Sequence, residues 1–275
     1  MQSNVISSAE TFAANRAVGA VRFDVHLKDG ATRRRELHES GSLRVRFPSP
    51  EQQGLSAVFV NTAGGIARGD RFDIDANDGA HLTVTTAAAE KIYRSHGPDA
   101  QVNIALRAGA DARLAWLPQE TILFDRARVA RRIDIDLSGN ASLLLCEIVV
   151  FGRAAMGEVM TQGAFIDRWR MRIDGKLVFA ETVRLNGDIA AKLARRAVAG
   201  GGVAIGTALI VPGDEAIVAR IREVSDTFGA EVGISAWNGF AMARFCAQDA
   251  ARLRADMMKV LERVSPSGLP RLWLN

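Results

Sequence analysis

The chain is poor in cysteine, and its two cysteines lie far apart. Cys146 and Cys246 are one hundred positions apart in 275 residues and match no zinc spacing such as C-x2-C. Both thiols are therefore predicted to be small core side chains in a reducing compartment. The chain also lacks a run of eighteen apolar residues without a charge, and it begins with no basic segment followed by an apolar one. These absences predict a cytoplasmic protein that does not bind the membrane.

The motifs of several enzyme classes are missing as well. No serine lies in a G-x-S-x-G arrangement, and the four histidines form neither H-x-E nor H-E-x-x-H. Aromatic residues make up only 6% of the chain, which disfavours a cleft that stacks sugars. The net charge of +4 comes from 35 basic and 31 acidic side chains, and the arginine pairs are scattered, so nucleic-acid binding is not expected.

Most of the chain alternates between apolar and polar residues. From about Val18 to Leu185 the period is two, broken by glycine and aspartate, which is typical of half-buried strands. The segment RWRMRIDGKLVFAETVRL is the clearest case, and its Asp174-Gly175 pair predicts a two-residue hairpin.

A weak internal repeat accompanies the strands. Apolar alternations lead into Gly79, Gly109 and Gly139, which are 30 and 30 residues apart. This spacing predicts a mainly β fold, a solenoid-like stack in which each unit buries its apolar face on the next. Glycine turns in a plain β-sandwich would give a similar pattern.

The pattern changes after Gly187. A strand-like stretch to Val211 is followed by PGDE, which predicts a helix to about Phe228 because acids favour the first helical turn. Two short strands and a helix from Gln248 to Arg263 complete the chain, since apolar residues recur there near helical spacing.

These patterns predict a single domain. Residues 18–275 are expected to form it, with a β body to about residue 187 and a β-α-β-β-α tail packed on that body. Residues 1–17 are expected to be a flexible amino terminus.

The stretch FVNTAGGIARGDRFDID places a glycine pair and an acid between two predicted strands. A phosphate loop would need a lysine and a Ser or Thr after the second glycine, and a dinucleotide fingerprint would need a helix to follow. The sequence has neither feature. We therefore interpret Gly64-Gly65 as a tight turn.

Three acids are predicted to point into the core. By alternation Asp70 shares a face with Phe72 and Ile74, and Glu147 shares one with Leu145, Val149 and Phe151. Glu181 is expected to share the inward face of its strand with Leu177, Phe179, Val183 and Leu185. A buried carboxylate is costly unless it is paired, protonated, bound to a cation or exposed to water. Arginine pairing is one open alternative, and a bulge that turns an acid outward is another.

Two further stretches are dense in polar groups. TTAAAEKIYRS holds the only tyrosine, Tyr93, and predicts either recognition of an acidic partner or a capped turn. In WLPQETILF, Pro118 cannot donate to a sheet, so the segment is expected at a sheet edge or bend that presents Gln119, Glu120 and Thr121 to solvent or a partner. His81 is expected to be a surface side chain, whereas the turn residue His96 remains a candidate for function.

Taken together and in this order, NTAGGIARGD, TTAAAEKIYRS, WLPQETILF and EIVVFGRAAMGE resemble the UreD (UreH) family of urease accessory proteins. The resemblance extends from about Val18 to the terminal PRLWLN. It implies a β-solenoid-like fold with a pair of helices and a non-catalytic scaffold that helps to load nickel into apo-urease. The implied partners are urease, the companion protein UreF and, through UreF, the GTPase UreG.

The resemblance also implies how the interior is used. The family interior is proposed to be a water-filled passage for nickel, and Asp70, Glu147 and Glu181 match its acidic positions. These three residues are therefore candidate metal contacts for nickel in transit, with no tightly bound cofactor. The alternative function is a stacked-strand carbohydrate-active hydrolase that uses two of the same acids as its paired carboxylates.

Overall fold

The computed structural model describes residues 18–48, 54–66, 69–95, 97–265 and 268–274. The segment 1–17, predicted to be flexible, and His96 lie outside the described residues. The strands are β1 (Val18–Lys28), β2 (Ala31–Ser40), β3 (Leu43–Arg46), β4 (Leu55–Asn61), β5 (Gly69–Ala76), β6 (His81–Thr86), β7 (Glu90–Ile92), β8 (Ala100–Ala108), β9 (Arg113–Trp116), β10 (Thr121–Leu123), β11 (Arg128–Leu137), β12 (Ser142–Arg153), β13 (Glu158–Val159), β14 (Gln162–Ile173), β15 (Lys176–Asp188), β16 (Ala204–Val211), β17 (Glu231–Trp237) and β18 (Phe240–Ala247). The helices are α1 (Ile189–Ala194), α2 (Glu215–Arg222) and α3 (Ala250–Val264), and 3-10 turns lie at Ala154–Met156, Ser225–Thr227 and Arg271–Trp273.

The strands form two sheets, and the chain passes back and forth between them. The first sheet has the order β15-β14-β11-β8-β5-β1-β2, and the second has the order β17-β18-β16-β12-β9-β6-β4-β3. Each turn of the chain adds one strand to each sheet, so β5, β8, β11 and β14 pair in parallel, as do β4, β6, β9 and β12. Short strands β7 and β10 form a narrow third side beside β12. The predicted mainly β, solenoid-like stack is confirmed.

Inward side chains of successive turns lie directly over one another. Phe72 pairs with Ile104, Ile104 with Ile133, and Ile133 with Trp169. All four are at most 6% exposed. Full burial of such a side chain contributes about 2 kcal/mol, and a slip of one residue would turn the whole row outward. The alternation therefore fixes the register of the stack.

The three spaced glycines mark equivalent turns between the sheets. Gly79, Gly109 and Gly139 each follow a strand of the first sheet and precede one of the second. The Gly79 N–H donates to the Ala110 carbonyl at 2.7 Å. A Cβ atom on Gly109 would overlap Asp78, whose carboxylate accepts from the Ala110 N–H at 2.9 Å. The turns of neighbouring units thus stack too closely for a side chain at Gly109.

The hairpin between β14 and β15 is confirmed at Asp174-Gly175. Both residues have positive φ, 49° and 74°, as a two-residue turn requires. The pairing shifts between Met171 and Arg172. Because this bulge changes the alternation, Leu177 is 48% exposed, and the expectation that it shares the inward face of Glu181 is wrong.

Two apolar cores result from this arrangement. One lies between the sheets, and the other lies between the second sheet and helices α2 and α3. Strand β12 contributes to both, with Leu145 and Val149 in the first core and Cys146 and Ile148 in the second. Glu147 has the same orientation along the strand as Leu145 and Val149, so it points between the sheets.

The helices of the tail pack on the second sheet. Gly206 of β16 allows close approach of α3, because a Cβ there would lie 3.0 Å from Leu253. Helix α2 ends at Arg222 rather than near Phe228, since the Ser225 hydroxyl donates to the Arg222 carbonyl at 2.7 Å and begins a 3-10 turn. The short helix α1 was not predicted. No helix in the described ranges is both long enough and apolar enough to cross a membrane.

Candidate functional site

Asp70 and Glu90 lie together at one end of the space between the sheets. Asn61 joins them, since its Nδ2 donates to Asp70 Oδ2 at 3.3 Å and to Glu90 Oε2 at 3.2 Å. The Gly19 N–H donates to Asp70 Oδ1 at 3.0 Å. Asp70 is only 4% exposed and shares its face with Phe72, as alternation predicts. Two carboxylates therefore share a single amide donor in a largely buried place.

Burial perturbs both carboxyl groups. It raises the pKa of Asp70 to about 6, although the hydrogen bond from Gly19 lowers it. Burial also raises the pKa of Glu90 to about 7; the hydrogen bond from Asn61 opposes the shift, and the charge of Asp70 adds to it. The pair therefore exchanges protons near neutral pH, where an entering cation would compete with the proton for the same oxygens.

A second group of charges is centred on Arg131. Its Nε and Nη2 donate to the two oxygens of Asp167 at 3.0 and 2.6 Å, and its Nη1 donates to Glu147 Oε2. The second oxygen of Glu147 accepts from Trp116 Nε1 at 2.9 Å. The three charged side chains are at most 8% exposed. One cation thus faces two carboxylates, which gives a buried group with a net charge of about −1 when all three are ionised.

The protonation of Glu147 reflects the same arrangement. Burial raises the pKa of Glu147, whereas the Arg131 charge and the Trp116 hydrogen bond lower it. Arg131 also lies 6.0 Å from the centroid of the Phe165 ring. The ion pair is therefore held in a mostly apolar wall rather than in solvent.

Glu181 lies nearer the surface and joins the two sheets at their open edge. Arg244 of β18 donates from Nη1 to Glu181 Oε1 at 2.8 Å and from Nη2 to Oε2. The Glu181 and Arg244 side chains are 26% and 49% exposed. The hydrogen bond to Glu181 raises the pKa of Arg244. This bidentate pair is accessible to water, unlike the one at Arg131.

Two cavities lie beside Glu90, Glu147 and Glu181. One of about 500 Å³ is lined by Glu181 and Arg244 and reaches the exposed Glu231, so it opens to solvent. Another, of about 40 Å³, is lined by Glu90. Three side chains line both cavities: Arg131, Glu147 and Phe165. A discontinuous route of two mainly apolar cavities thus runs between the sheets, interrupted at the Arg131–Glu147 pair, and Asp70 lines neither cavity.

The structure confirms the inward orientation for two of the three acids, Asp70 and Glu147, and places Glu181, which is half-buried, at the edge of the same space. Arginine pairing, the open alternative, applies to Glu147 and Glu181 but not to Asp70. Their contact with a metal stays a prediction.

Sequence reasoning missed other polar residues that lie between the sheets. Glu90 was seen only as part of a polar stretch, and Asn61, Asp167 and Arg131 were not singled out. Alternation with the inward neighbours Phe165 and Trp169 would have placed Asp167 between the sheets. Nothing in the sequence pairs it with Arg131, because that contact depends on strand register.

The glycine pair has a structural explanation. Gly64 has a φ of 74°, and its carbonyl accepts from Tyr93 Oη at 2.9 Å. A Cβ on Gly65 would lie 2.5 Å from the Tyr93 ring and 2.6 Å from the Lys91 carbonyl. The predicted tight turn is confirmed, and its glycines make room for Tyr93.

The segment WLPQETILF forms a bend after β9, as Pro118 predicts, but it does not present Gln119 to solvent. Gln119 is 7% exposed, and its Nε2 donates to the Leu272 carbonyl at 3.2 Å. Glu120 pairs with Arg254 of α3 at 2.8 Å. The expectation of exposure is wrong because the carboxyl-terminal segment covers this bend.

Histidine and cysteine contribute little to the route. His81 is half-buried on β6, where burial and the nearby Arg113 lower its pKa. Cys146 is buried in the second core, as predicted, and Cys246 is partly exposed and lines the larger cavity. Within the described part of the chain, no three histidine, cysteine, aspartate or glutamate side chains come together as a metal cage.

Comparisons with known proteins agree on one family. The family model described as UreD urease accessory protein matches residues 17–274. The chain is 73% identical to the urease accessory protein UreD of Bradyrhizobium diazoefficiens, over 100% of both chains. It is also 73% identical to the urease accessory protein UreD of Rhodopseudomonas palustris strain HaA2, over 98% of this chain and 97% of that protein.

Proposed function

Because the chain belongs to the UreD family of urease accessory proteins, its role lies in urease maturation, and we propose that it delivers nickel to apo-urease through its interior. In this proposal the protein is a cytoplasmic, non-catalytic scaffold. It binds urease and the companion protein UreF, and UreF in turn recruits the GTPase UreG. Nickel is the cargo and is bound only in transit.

The observation that carries the proposal is the row of interior carboxylates beside the two cavities. Glu90 lines the smaller cavity, Glu147 lines both, and Glu181 lines the larger one. Oxygen ligands bind a borderline divalent ion more weakly than thiolates or a histidine cage, so the ion can exchange from one group to the next. Conduction needs binding of this kind, strong enough to attract the ion and weak enough to release it.

The charge of Asp70 and Glu90 also supports entry of a divalent cation at this end of the space between the sheets. Asp70 has no arginine partner among the described residues, and its neighbour Glu90 has none either. At neutral pH this end of the row carries negative charge with only the Asn61 amide between the two acids. A dication entering here replaces protons and gains two carboxylates without displacing another cation.

The Arg131–Glu147 pair lies between the two cavities of the proposed route. The guanidinium occupies the place where a cation would contact both Glu147 and Asp167. In the proposal Arg131 turns aside as the ion arrives, which keeps the charge of the carboxylates compensated throughout. Nickel therefore exchanges with a guanidinium rather than crossing an uncompensated apolar wall.

The test replaces the interior carboxylates with amides of the same shape. The triple variant Asp70→Asn, Glu147→Gln and Glu181→Gln is expected to lower the nickel content of urease matured in its presence at least several-fold. The matched control changes three outward acids of the first sheet, Asp73, Asp134 and Asp136, to asparagine. Equal nickel loading by the triple variant and the control would refute the conduit.

A second measurement separates the conduit from the scaffold. The triple variant is expected to co-purify with UreF and apo-urease as the wild type does, because the changed groups lie between the sheets. A lower nickel content of urease, with the complexes with UreF and apo-urease retained, supports an interior route. Loss of these complexes would instead show that the variant impairs assembly.

The alternative hydrolase finds less support. A glycosidase needs two carboxyl groups facing each other across a sugar-binding cleft. Glu147 shares its oxygens with Arg131 and Trp116, and both oxygens of Glu181 bind Arg244. Neither group is arranged to donate a proton to a substrate, so the accessory role is preferred.

A further inference from the structure

One surface brings together residues from all four sequence stretches that resemble the family. Tyr93 and Phe124 pack edge to face, with ring centroids 5.1 Å apart. Arg153 lies over the Phe124 ring, with Cζ 4.1 Å from the centroid. Gly64 accepts the Tyr93 hydroxyl at 2.9 Å. The interior route uses none of these side chains.

The backbone fixes this surface in place. Tyr93 follows β7 and Phe124 follows β10; β10 pairs with β7 on one side and with β12 on the other. Tyr93 and Phe124 are followed across the sheet by Gly152 of β12, which lies opposite Val159 of β13. Gly152 has a φ of 100°, and a Cβ there would overlap the backbone of Glu158. The row Tyr93, Phe124, Gly152, Val159 is therefore a rigid feature of four neighbouring strands.

The surface exposes apolar side chains. Tyr93 is 39% exposed, Val159 57% and Met156 72%. Met156 ends a 3-10 turn that is closed by Gly157 with a φ of 66°, so its exposure is set by a defined turn. Eight large hydrophobic side chains are exposed in the described residues, and three of them lie here. Exposed apolar side chains grouped on neighbouring strands and the turn between them are typical of a protein interface.

The rim of the surface is basic. Lys91, Arg94 and Arg126 are exposed beside Tyr93 and Phe124. Within the described part of the chain Lys91 and Arg94 have no carboxylate partner, and Arg126 lies 3.7 Å from its nearest one, Asp125.

The nearby acids are already engaged. Asp125 Oδ1 accepts from the Thr161 backbone and hydroxyl at 2.7 and 2.8 Å. Glu158 binds Arg153, and its other oxygen accepts from the Asp125 N–H at 2.9 Å. The charge left for a partner is therefore positive.

We propose that this surface docks a segment of a partner protein that carries an apolar anchor side chain flanked by carboxylates. The surface consists of Tyr93, Phe124, Arg153, Met156 and Val159, with the basic rim of Lys91, Arg94 and Arg126.

Charge and shape select this occupant. The apolar row accepts the anchor, and the rim attracts carboxylates and repels a second copy of the same surface, since a two-fold contact would bring like charges together. Aromatic and arginine side chains are also the types that contribute most to binding at interfaces. The inference rests on the proposed function, which supplies the candidate partners.

The experiment titrates the labelled full-length protein with purified UreF and with purified apo-urease, each alone. Two double variants probe the surface: Met156→Glu with Val159→Glu, and Arg94→Glu with Arg126→Glu. The matched control, Leu27→Glu with Leu177→Glu, changes two side chains that are each 48% exposed elsewhere. Thermal unfolding and gel filtration of every variant check folding and self-association.

The proposal expects both surface variants to weaken binding of one of the two probes at least tenfold, with the control unchanged. Binding of that probe to the wild type should also weaken as salt is raised, because the rim is exposed. Unchanged binding of both probes to correctly folded surface variants would overturn the inference while leaving the proposed function intact.

The remaining outcomes are equally decisive. A change in self-association that follows the surface variants would make a second copy the occupant and overturn the inference. A wild-type protein that binds neither probe would overturn both the inference and the proposed scaffold.

Discussion

Arg131 and Glu147 form a buried ion pair where the two interior cavities meet. Asp167 binds the other side of the same guanidinium through both of its oxygens. One arginine therefore pairs with two carboxylates contributed by two strands, β12 of the second sheet and β14 of the first. We therefore expect both the stability of the fold and the proposed passage of nickel to depend on Arg131.

The first prediction concerns removal of the Arg131 guanidinium. Arg131→Met should lower the free energy of unfolding at pH 7 by about 3–5 kcal/mol, because it leaves two buried carboxylates without a compensating cation. Urea denaturation of the purified protein measures the change. Adding Glu147→Gln and Asp167→Asn to Arg131→Met should recover part of the loss, since the uncompensated charges are then gone.

The control for this prediction is Arg132→Met on the opposite face of the same strand. Arg132 pairs with Asp134 at the surface, its side chain is 61% exposed, and exposed pairs contribute at most about 1 kcal/mol. Similar losses for Arg131→Met and Arg132→Met would contradict the compensating role of Arg131.

The second prediction concerns pH and the pair Asp70 and Glu90. Their folded-state pKa values of about 6 and about 7 lie above the ordinary values of 3.8 and 4.5. Folding thus favours the protonated groups, so their contribution to stability is complete below pH 4 and is lost as the pH rises through 6 and 7. The wild type should lose stability over this window because its buried acids must ionise.

The variant Asp70→Asn with Glu90→Gln should lack this loss. Between pH 5 and pH 8 the difference in free energy of unfolding between variant and wild type should change by roughly 4 kcal/mol in favour of the variant. Denaturation at a series of pH values with a chelator present measures it. Parallel curves for the two proteins would show that the acids are not perturbed by burial.

The strand positions of the site follow from local alternation, whereas its pairings do not. Asp70 and Glu147 point inward because the apolar residues two positions away do so on regular strands. Arg131 meets Asp167 only because β11 and β14 pair in one register, which no local window contains. Leu177 departs from the prediction because a bulge interrupts the alternation between β14 and β15.

The burial of Gln119 differs from the prediction because a segment distant in sequence covers it. Gln119 lies at a proline bend, where exposure is the natural expectation, yet Leu272 covers it from 153 residues further along the chain. The glycine pair was predicted as a turn from composition alone. Its reason, the close approach of Tyr93, depends on the pairing of neighbouring turns of the stack.

The third prediction tests that close approach. Gly65→Ala should lower the free energy of unfolding by about 1–3 kcal/mol, because its Cβ would lie 2.5 Å from the Tyr93 ring and 2.6 Å from a backbone carbonyl. Gly64→Ala should cost about 1 kcal/mol, since its φ of 74° disfavours a side chain but the nearest atom is 3.7 Å away. Thermal or urea unfolding compares the two.

A double-mutant cycle with Tyr93→Ala assigns the cause. Removing the ring should reduce the cost of Gly65→Ala without abolishing it, because the Lys91 carbonyl remains. It should leave the cost of Gly64→Ala nearly unchanged. Full additivity of Gly65→Ala and Tyr93→Ala would mean that the ring does not limit the space at this glycine.

The fourth prediction concerns Trp273, which anchors the carboxyl-terminal segment. Trp273 is 1% exposed, its Nε1 donates to the Leu117 carbonyl at 2.9 Å, and Arg254 lies 4.6 Å from its ring centroid. Trp273→Ala should lower the free energy of unfolding by about 3–5 kcal/mol, because it opens a cavity in the second core. Leu274→Ala is the control, since Leu274 is 62% exposed and should change stability by less than about 0.5 kcal/mol.

The loss of Trp273 should also be felt at the bend that the segment covers. Without the anchor, the Leu272 carbonyl no longer holds Gln119, and the bend between β9 and β10 gains access to water. Amide hydrogen exchange in residues 117–121 should then accelerate in Trp273→Ala and stay unchanged in Leu274→Ala. Strand β10 pairs with both β7 and β12, so the bend before it is part of the narrow third side of the stack. Exchange that accelerates only in the carboxyl-terminal segment would show that this segment does not stabilise that side.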